Sequence, residues 1–191
     1  MQTQPIILAS GSPRRYQLLT EAGFDVTVIR PDDAAEQLAN SSGSPEQTVV
    51  NLAQAKAENV AQQVTSGIVL AGDTLAELDG QVLGKPRDRA HAKQILQTLR
   101  GREHRVLSGL CLWRRPEDRV LSQFDQTTVA MRDLSDEEIE EYLDSGLWQG
   151  KAGAFGLQDR LGWVQLVKGS ESNVVGLPME LLAKMLEELN P

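Results

Sequence analysis

Five short stretches carry residues whose types and spacing suit chemistry on an anionic ligand. Ser10-Gly11-Ser12-Pro13-Arg14-Arg15 ends a small-residue turn and opens a helix. A helix N-terminus offers free N–H groups and the positive end of a dipole. Two arginines there add planar forks that match phosphate oxygens. Cations at that end cost about a few tenths of a kcal/mol unless an anion joins them, so the local conflict favours a ligand. The competing reading is a plain cap with two solvated arginines, since the glycine does not form a Walker pattern.

Gly72-Asp73-Thr74 closes an apolar run. A carboxylate at the carboxyl end of a strand sits where α/β folds place ligands. It can hold a divalent metal or orient a water for attack on phosphorus; the alternative is an Asx turn. In Gly84-Lys85-Pro86, proline fixes the backbone and glycine permits an unusual turn, which would aim Lys85 at an anion. Alone, a loop lysine on the surface is the simpler reading. Lys151-Ala-Gly-Ala-Phe-Gly-Leu-Gln158 lets backbone approach a flat ligand, and Gln158 has the donor and acceptor that read a base edge. Phe155 in this stretch reads as core. Lys56, among alanines inside a helical pattern, reads on its own as a solvated lysine.

The elements that must position these residues follow from pattern. Ile6-Ile-Leu-Ala is a buried strand feeding the Ser10 turn. Ser12-Pro13 opens a helix through Leu18, Leu19 and Ala22, stopped by Gly23, and a strand is expected over 24–29. Residues 31–44 read as loop. Ser44-Pro-Glu-Gln is a capping box for a long helix reaching about Ser66-Gly67. Ile68-Val-Leu-Ala is a buried strand ending at Gly72-Asp73-Thr74, and Asp79-Gly80 suits a type I′ hairpin turn. Asp88 caps a helix closed by Gly101. Long strands follow at about 104–113 and 119–131, and Ser135-Asp-Glu-Glu caps another helix. Trp163–Val167 is a strand, and Pro178 opens a terminal helix with Leu181, Leu182, Met185, Leu186 and Leu189 on one side. Mixed strands and helices predict an α/β fold with a partly antiparallel sheet.

The chain has 191 residues, which favours one domain over 1–191, in two lobes at most. Nineteen Lys and Arg against 27 Asp and Glu give a formal charge of −8. That sign disfavours a nucleic-acid polymer or an anionic membrane as partner, but not a small anion met by a few local cations. Cys111 is the single cysteine and reads as core. His91 and His104 are the only histidines, which excludes Cys/His zinc sites; neither has a partner at readable spacing. No apolar run is long enough for a membrane span, and no secretory signal is legible at the start. A cytoplasmic protein is the expectation.

Taken in order, these segments resemble the Maf family, the septum-formation-inhibitor-like nucleoside triphosphate pyrophosphatases. The resemblance spans essentially the whole chain. It rests on Leu8-Ala-Ser10-Gly-Ser-Pro-Arg-Arg15, Leu52-Ala-x-x-Lys56-Ala, Gly72-Asp73-Thr74, Gly84-Lys85-Pro86, Lys151-Ala-Gly-Ala-Phe-Gly-Leu-Gln158 and Val175-Gly-Leu-Pro178. It implies a two-lobed α/β fold, a mixed sheet flanked by helices with a central cleft, similar to inosine triphosphatases and usually dimeric. It implies metal-dependent hydrolysis of a nucleoside triphosphate to the monophosphate and pyrophosphate, with Mg²⁺ or Mn²⁺ as cofactor. Asp73 matches the family's catalytic acid/base and metal ligand. Arg14, Arg15, Lys56 and Lys85 match its phosphate-handling positions, with Ser10 in the same turn.

Arg14, Thr74 and Gln158 match the dTTP/UTP branch of the family; the 7-methyl-GTP branch has Trp, Gln and Glu in those places. A pyrimidine triphosphate is therefore the expected substrate, with a 7-methyl-GTP-type enzyme or a non-catalytic, nucleotide-binding regulator of division as alternatives. Three departures stand out. Ala71-Gly72 inverts the family's usual order. Pro31-Asp-Asp-Ala-Ala-Glu36 shifts the acidic position, leaving Asp32, Asp33 and Glu36 as rivals for a second metal carboxylate, of which Glu36 is the choice. Gln158-Asp159-Arg160 replaces Gln-Gly, so a stiffer base-reading loop is expected.

Overall fold

The computed structural model describes residues 5–32, 34–35, 43–159 and 161–189. Seven strands form one sheet in the order β2-β1-β3-β5-β6-β7, with β4 paired to β3. The strands are β1 (Ile6–Ala9), β2 (Val26–Val28), β3 (Gly67–Leu78), β4 (Gln81–Leu83), β5 (Glu103–Arg115), β6 (Arg119–Met131) and β7 (Val164–Lys168). The helices are α1 (Pro13–Glu21), α2 (Pro45–Ala61), α3 (Arg89–Leu99), α4 (Asp136–Asp144), α5 (Glu171–Val175) and α6 (Met179–Leu189). β1 pairs in parallel with β2 and β3, while β3/β4 and β6/β7 are antiparallel. The sheet is thus mixed, as the alternation of elements predicts.

The chain divides into two compact units, Met1–Asp73 with Ser108–Asp125 and Gly176–Pro191, and Thr74–Leu107 with Gln126–Val175. In the first unit, strand alternation sorts the core into two layers. Ile6 and Leu8 of β1 and Ile68 and Leu70 of β3 pack with Leu19 of α1 and Leu182, Met185 and Leu189 of α6. The intervening Ala9, Val69 and Ala71 face α2 through Ala53, Ala57 and Val60. Alanines on that face let α2 lie close to the sheet. The closest approach is at Gly109 of β5, where a Cβ would stand 2.8 Å from Val50 N and nearer still to the Val49 carbonyl. In the second unit, Ile95, Leu96 and Leu99 of α3 and Ile139, Tyr142 and Leu143 of α4 bury against Ala76, Leu78, Met131, Trp148 and Trp163.

The local stop and start signals work as chemistry requires. Asp88 Oδ1 accepts from His91 N at 2.7 Å, and Ser135 and Glu138 form a full capping box. Asp79 and Gly80 both take positive φ, 51° and 84°, as a type I′ turn demands. At Ser44 only half of the expected box forms. Ser44 Oγ accepts from Gln47 N, but the Gln47 amide turns to Asn51 Oδ1 at 2.7 Å. The helix also ends at Ala61, before the expected Ser66-Gly67. Among the described residues, no helix is long and apolar enough to cross a membrane.

One expectation is corrected outright. Strand β3 does not end at Gly72-Asp73-Thr74; it continues to Leu78, and Asp73 sits in mid-strand. The residues after Thr74 supply the reason. Leu75, Ala76 and Leu78 are apolar and buried, so extended backbone is held by burial beyond the carboxylate.

Candidate functional site

Strand parity decides where Asp73 looks. Val69 and Ala71 face α2, so Asp73, two residues further, points the same way. The buried stripe of α2 carries Val49, Ala53, Lys56, Ala57 and Val60. Lys56 is therefore on the core side of its helix, and the reading of a solvated lysine is overturned. Its Nζ lies 2.6 Å from Asp73 Oδ1, with side-chain exposures of 6% and 15%. Alanine neighbours leave the lysine stem room to run along the sheet. In this low-polarity setting each charge supports the other, and removal of either would strand its partner.

Gly72 has the opposite parity and faces α1. A Cβ there would meet Arg15 Nε at 3.3 Å and Leu110 Cδ2 at 3.2 Å, so the small residue makes room for the guanidinium. This gives the inverted Ala71-Gly72 order a physical use. Arg15 is buried. Its Nε donates to the Gly176 carbonyl at 2.7 Å and its Nη1 to Ser10 Oγ at 3.0 Å. Ser10 Oγ also accepts from Ser12 N at 3.2 Å, and Ser12 makes no side-chain cap. The serine pair thus shapes the turn and holds the arginine. Ser10, Arg15, Lys56 and Asp73 all belong to the first unit, with Ser10 and Arg15 on the α1 side of β3 and the Lys56–Asp73 pair on the α2 side. Arg14 lies beside them in sequence, half-buried on the first turn of α1.

The remaining predicted residues belong to the second unit. Thr74 follows Asp73 on β3 and is half-buried, and Lys85 is exposed after β4. Gly84 needs no left-handed backbone, and a Cβ on it would meet nothing within 4 Å. The glycine is therefore not what gives that turn its shape. Gln158 occupies a short 3-10 turn, Leu157–Asp159. Glu36 and Asp33 lie outside the described residues. Asp32 is exposed, and its Oδ2 accepts from Asn59 Nδ2 at 3.1 Å. Among the described residues, no group of three or more Asp, Glu, His or Cys is disposed to cage a metal ion.

Two features escaped the sequence. The Gly176 carbonyl acts as an anchor for Arg15 across 161 residues of chain; its only signal was the Val175-Gly-Leu-Pro178 motif, which had no chemistry to offer. The other is Lys151, buried and paired with Asp159, whose second oxygen takes the Tyr142 hydroxyl at 2.7 Å. His104 is also buried, and desolvation lowers its pKa to about 4 against the opposing pull of the Arg102 carbonyl and the Glu77 charge. Cys111 is buried, as expected, and burial pushes its thiol up to about 11, so it is no nucleophile.

Solved structures share this architecture. A Ham1 protein from Staphylococcus aureus covers 97% of this chain and 100% of its own length with a TM-score of 0.55 at 15% identity. A HAM1 protein from Coxiella burnetii aligns with a TM-score of 0.50, again at 15% identity, over 97% of this chain and all of its own. The fold is therefore the mixed α/β class of the Ham1 proteins. Sequence places the chain more narrowly. The family model described as Maf-like protein matches residues 5–189. A protein named dTTP/UTP pyrophosphatase from Rhodopirellula baltica is 46% identical over 96% of this chain and 82% of its own. Proteins of the same name from Ruminiclostridium cellulolyticum and Thermococcus gammatolerans are each 40% identical, covering 97% and 95% of this chain and 96% and 95% of their own. This chain belongs to the Maf-like protein family.

Proposed function

We propose that the chain is a hydrolase that cleaves dTTP and UTP to the monophosphate and pyrophosphate. The observation that carries this is the 40–46% identity, over nearly the full length, to relatives bearing that name. The buried Lys56–Asp73 pair and the anchored Arg15 of the same unit support it, because a pure nucleotide binder gains little from a carboxylate held in place by a buried lysine.

In this reading Asp73 is the general base. Lys56 fixes the orientation of the carboxylate, so that it can take the proton of a water attacking phosphorus. Arg15, already immobilised by Ser10 and Gly176, meets the phosphate chain without paying for rotamer ordering. Arg14 and Lys85 add charge toward a substrate that carries about four negative charges. Thr74 and Gln158 serve substrate recognition, the Gln158 amide having the donor and acceptor that a pyrimidine edge calls for.

A divalent cation, Mg²⁺ or Mn²⁺, fits this donor set in one way. Mg²⁺ commonly binds through one or two carboxylates with substrate phosphates and water completing the shell, and needs no all-protein cage. Asp73 would hold it, with Glu36 as the second carboxylate. The cation would neutralise charge developing on the phosphoryl oxygens. A cytoplasmic homodimer that binds neither membrane nor nucleic-acid polymer completes the proposal.

The test is pyrophosphate release from a triphosphate panel, with and without Mg²⁺ or Mn²⁺. Wild-type protein should favour dTTP and UTP by kcat/KM, and Asp73→Ala should abolish release while retaining the fold. Preference for 7-methyl-GTP would overturn the substrate; nucleotide binding without hydrolysis would overturn the enzyme.

A further inference from the structure

The segment from Lys151 to Trp163 contains the turn with Gln158 at its centre, and it is tied down by an unusual polar device. The Asp159 side chain is only 5% exposed and that of Lys151 9%, and the two are joined as a buried ion pair. Asp159 Oδ2 also accepts from Tyr142 Oη at 2.7 Å and from Gly156 N at 3.3 Å. One carboxylate thus binds both sides of the turn it belongs to and the helix α4 behind it. The rings complete the clamp. Tyr142 packs on Phe155 and Trp163 at centroid distances of 5.7 and 5.1 Å, and Phe155 stacks on Trp163 at 5.7 Å with 16° between planes. Phe155 and Trp163 flank Gln158 in sequence by three and five residues.

Stability alone does not account for this arrangement. A buried ion pair gains little or nothing over apolar side chains of the same volume, because both charges lose their water. What it adds is direction. Three donors converging on one carboxylate leave the turn a single register, whereas an apolar contact tolerates sliding. A surface turn of three residues has otherwise no reason to hold one conformation.

We propose that Asp159 is a positioning residue for nucleobase selection: by binding Lys151, Tyr142 and the Gly156 amide it sets the turn from which Gln158 meets the base. This rests on the reading of Gln158 as the base-reading residue. Asp159 touches no substrate itself. Its loss should blur which base is accepted, not slow the phosphoryl chemistry.

The experiment compares Asp159→Asn, Gln158→Ala and the double variant with wild type, measuring kcat and KM for dTTP, UTP, dCTP and ATP. Asp159→Asn should raise KM for dTTP and UTP by about tenfold, the scale of one lost charged hydrogen bond, with kcat changed less than about twofold. Its preference for dTTP over dCTP should fall, and in the Gln158→Ala background it should add nothing further. A charge-free variant, Lys151→Met with Asp159→Asn, separates stability from register: it should recover the melting temperature and still lack the preference. Gln158→Ala that shifts base preference while Asp159→Asn does not would overturn the proposal alone. Gln158→Ala that leaves the preference intact would overturn the underlying reading and the proposal with it. Selectivity restored in the charge-free variant would reduce Asp159 to a structural role and also overturn it.

Discussion

Replacing Gly109 by alanine perturbs the site at a distance. Its Cβ would stand 2.8 Å from Val50 N, and ordinary contact begins at 3.4 Å, so α2 or β5 must give by at least about 0.6 Å. The obstacle is helix backbone, which cannot rotate away as a side chain could. Overpacking of this kind costs about 1–3 kcal/mol, which for a chain of this size lowers Tm by roughly 3–10 °C. The displacement also travels. Val49 and Lys56 share the buried stripe of α2, seven residues or about 10 Å apart. A rigid helix carries the shift to the ammonium that holds Asp73 at 2.6 Å. Stretching that pair should lower kcat for pyrophosphate release by about tenfold or more, with a smaller change in KM. Thermal melting and steady-state kinetics measure both effects. Gly84→Ala, where a Cβ meets nothing within 4 Å, is the control for stability and should melt like wild type. A Gly109→Ala protein with wild-type Tm and kcat would show that the helix does not press on β5 and that the site is not held through it.

Other outcomes follow from the same packing. Lys56→Met should cost about 3 kcal/mol in denaturant unfolding, because it strands a mostly buried carboxylate, and adding Asp73→Asn to it should recover much of that stability without activity. Stability should fall on acidification through His104. Its folded pKa of about 4 lies below the usual 6.5, so the unfolded chain binds the proton first. The contribution is complete above pH 6.5 and is lost as pH falls toward 4, at up to about 1.4 kcal/mol per unit; His104→Leu should flatten that slope in pH-dependent chemical denaturation. Leu182→Ala, in the fully buried face of α6, should cost about 2–5 kcal/mol and lower the unfolding midpoint accordingly.

Much of this fold was legible because its signals are local. Caps at Asp88 and Ser135, the Asp79-Gly80 turn and the apolar strands each depend on a few neighbouring residues. The site was legible as a set of residue types, but not as an arrangement. Lys56 looked solvated because charge outweighs spacing in a short window; only the parity of β3 and the face of α2 together show that it must be buried. Asp73 looked like a strand end because Gly72 reads as a breaker, whereas its role is to admit Arg15. Asp159 was visible only as a departure from the family pattern, since its three partners lie three to seventeen residues away. No window that short could reveal Gly176 as the support of Arg15.

That last contact bears on how the protein is made. The first unit contains both the beginning of the chain and the stretch Gly176–Pro191. Arg15 leaves the ribosome well before the Gly176 carbonyl that seats it and the helix α6 that closes the core over Leu19. At a synthesis rate of about 5–20 residues per second, the arginine waits some ten to thirty seconds, roughly, for its partner. Until Gly176 has emerged, a nascent chain therefore holds Arg15 without its seat. A product truncated before Gly176 would carry nearly every motif of the family and still lack the support for Arg15.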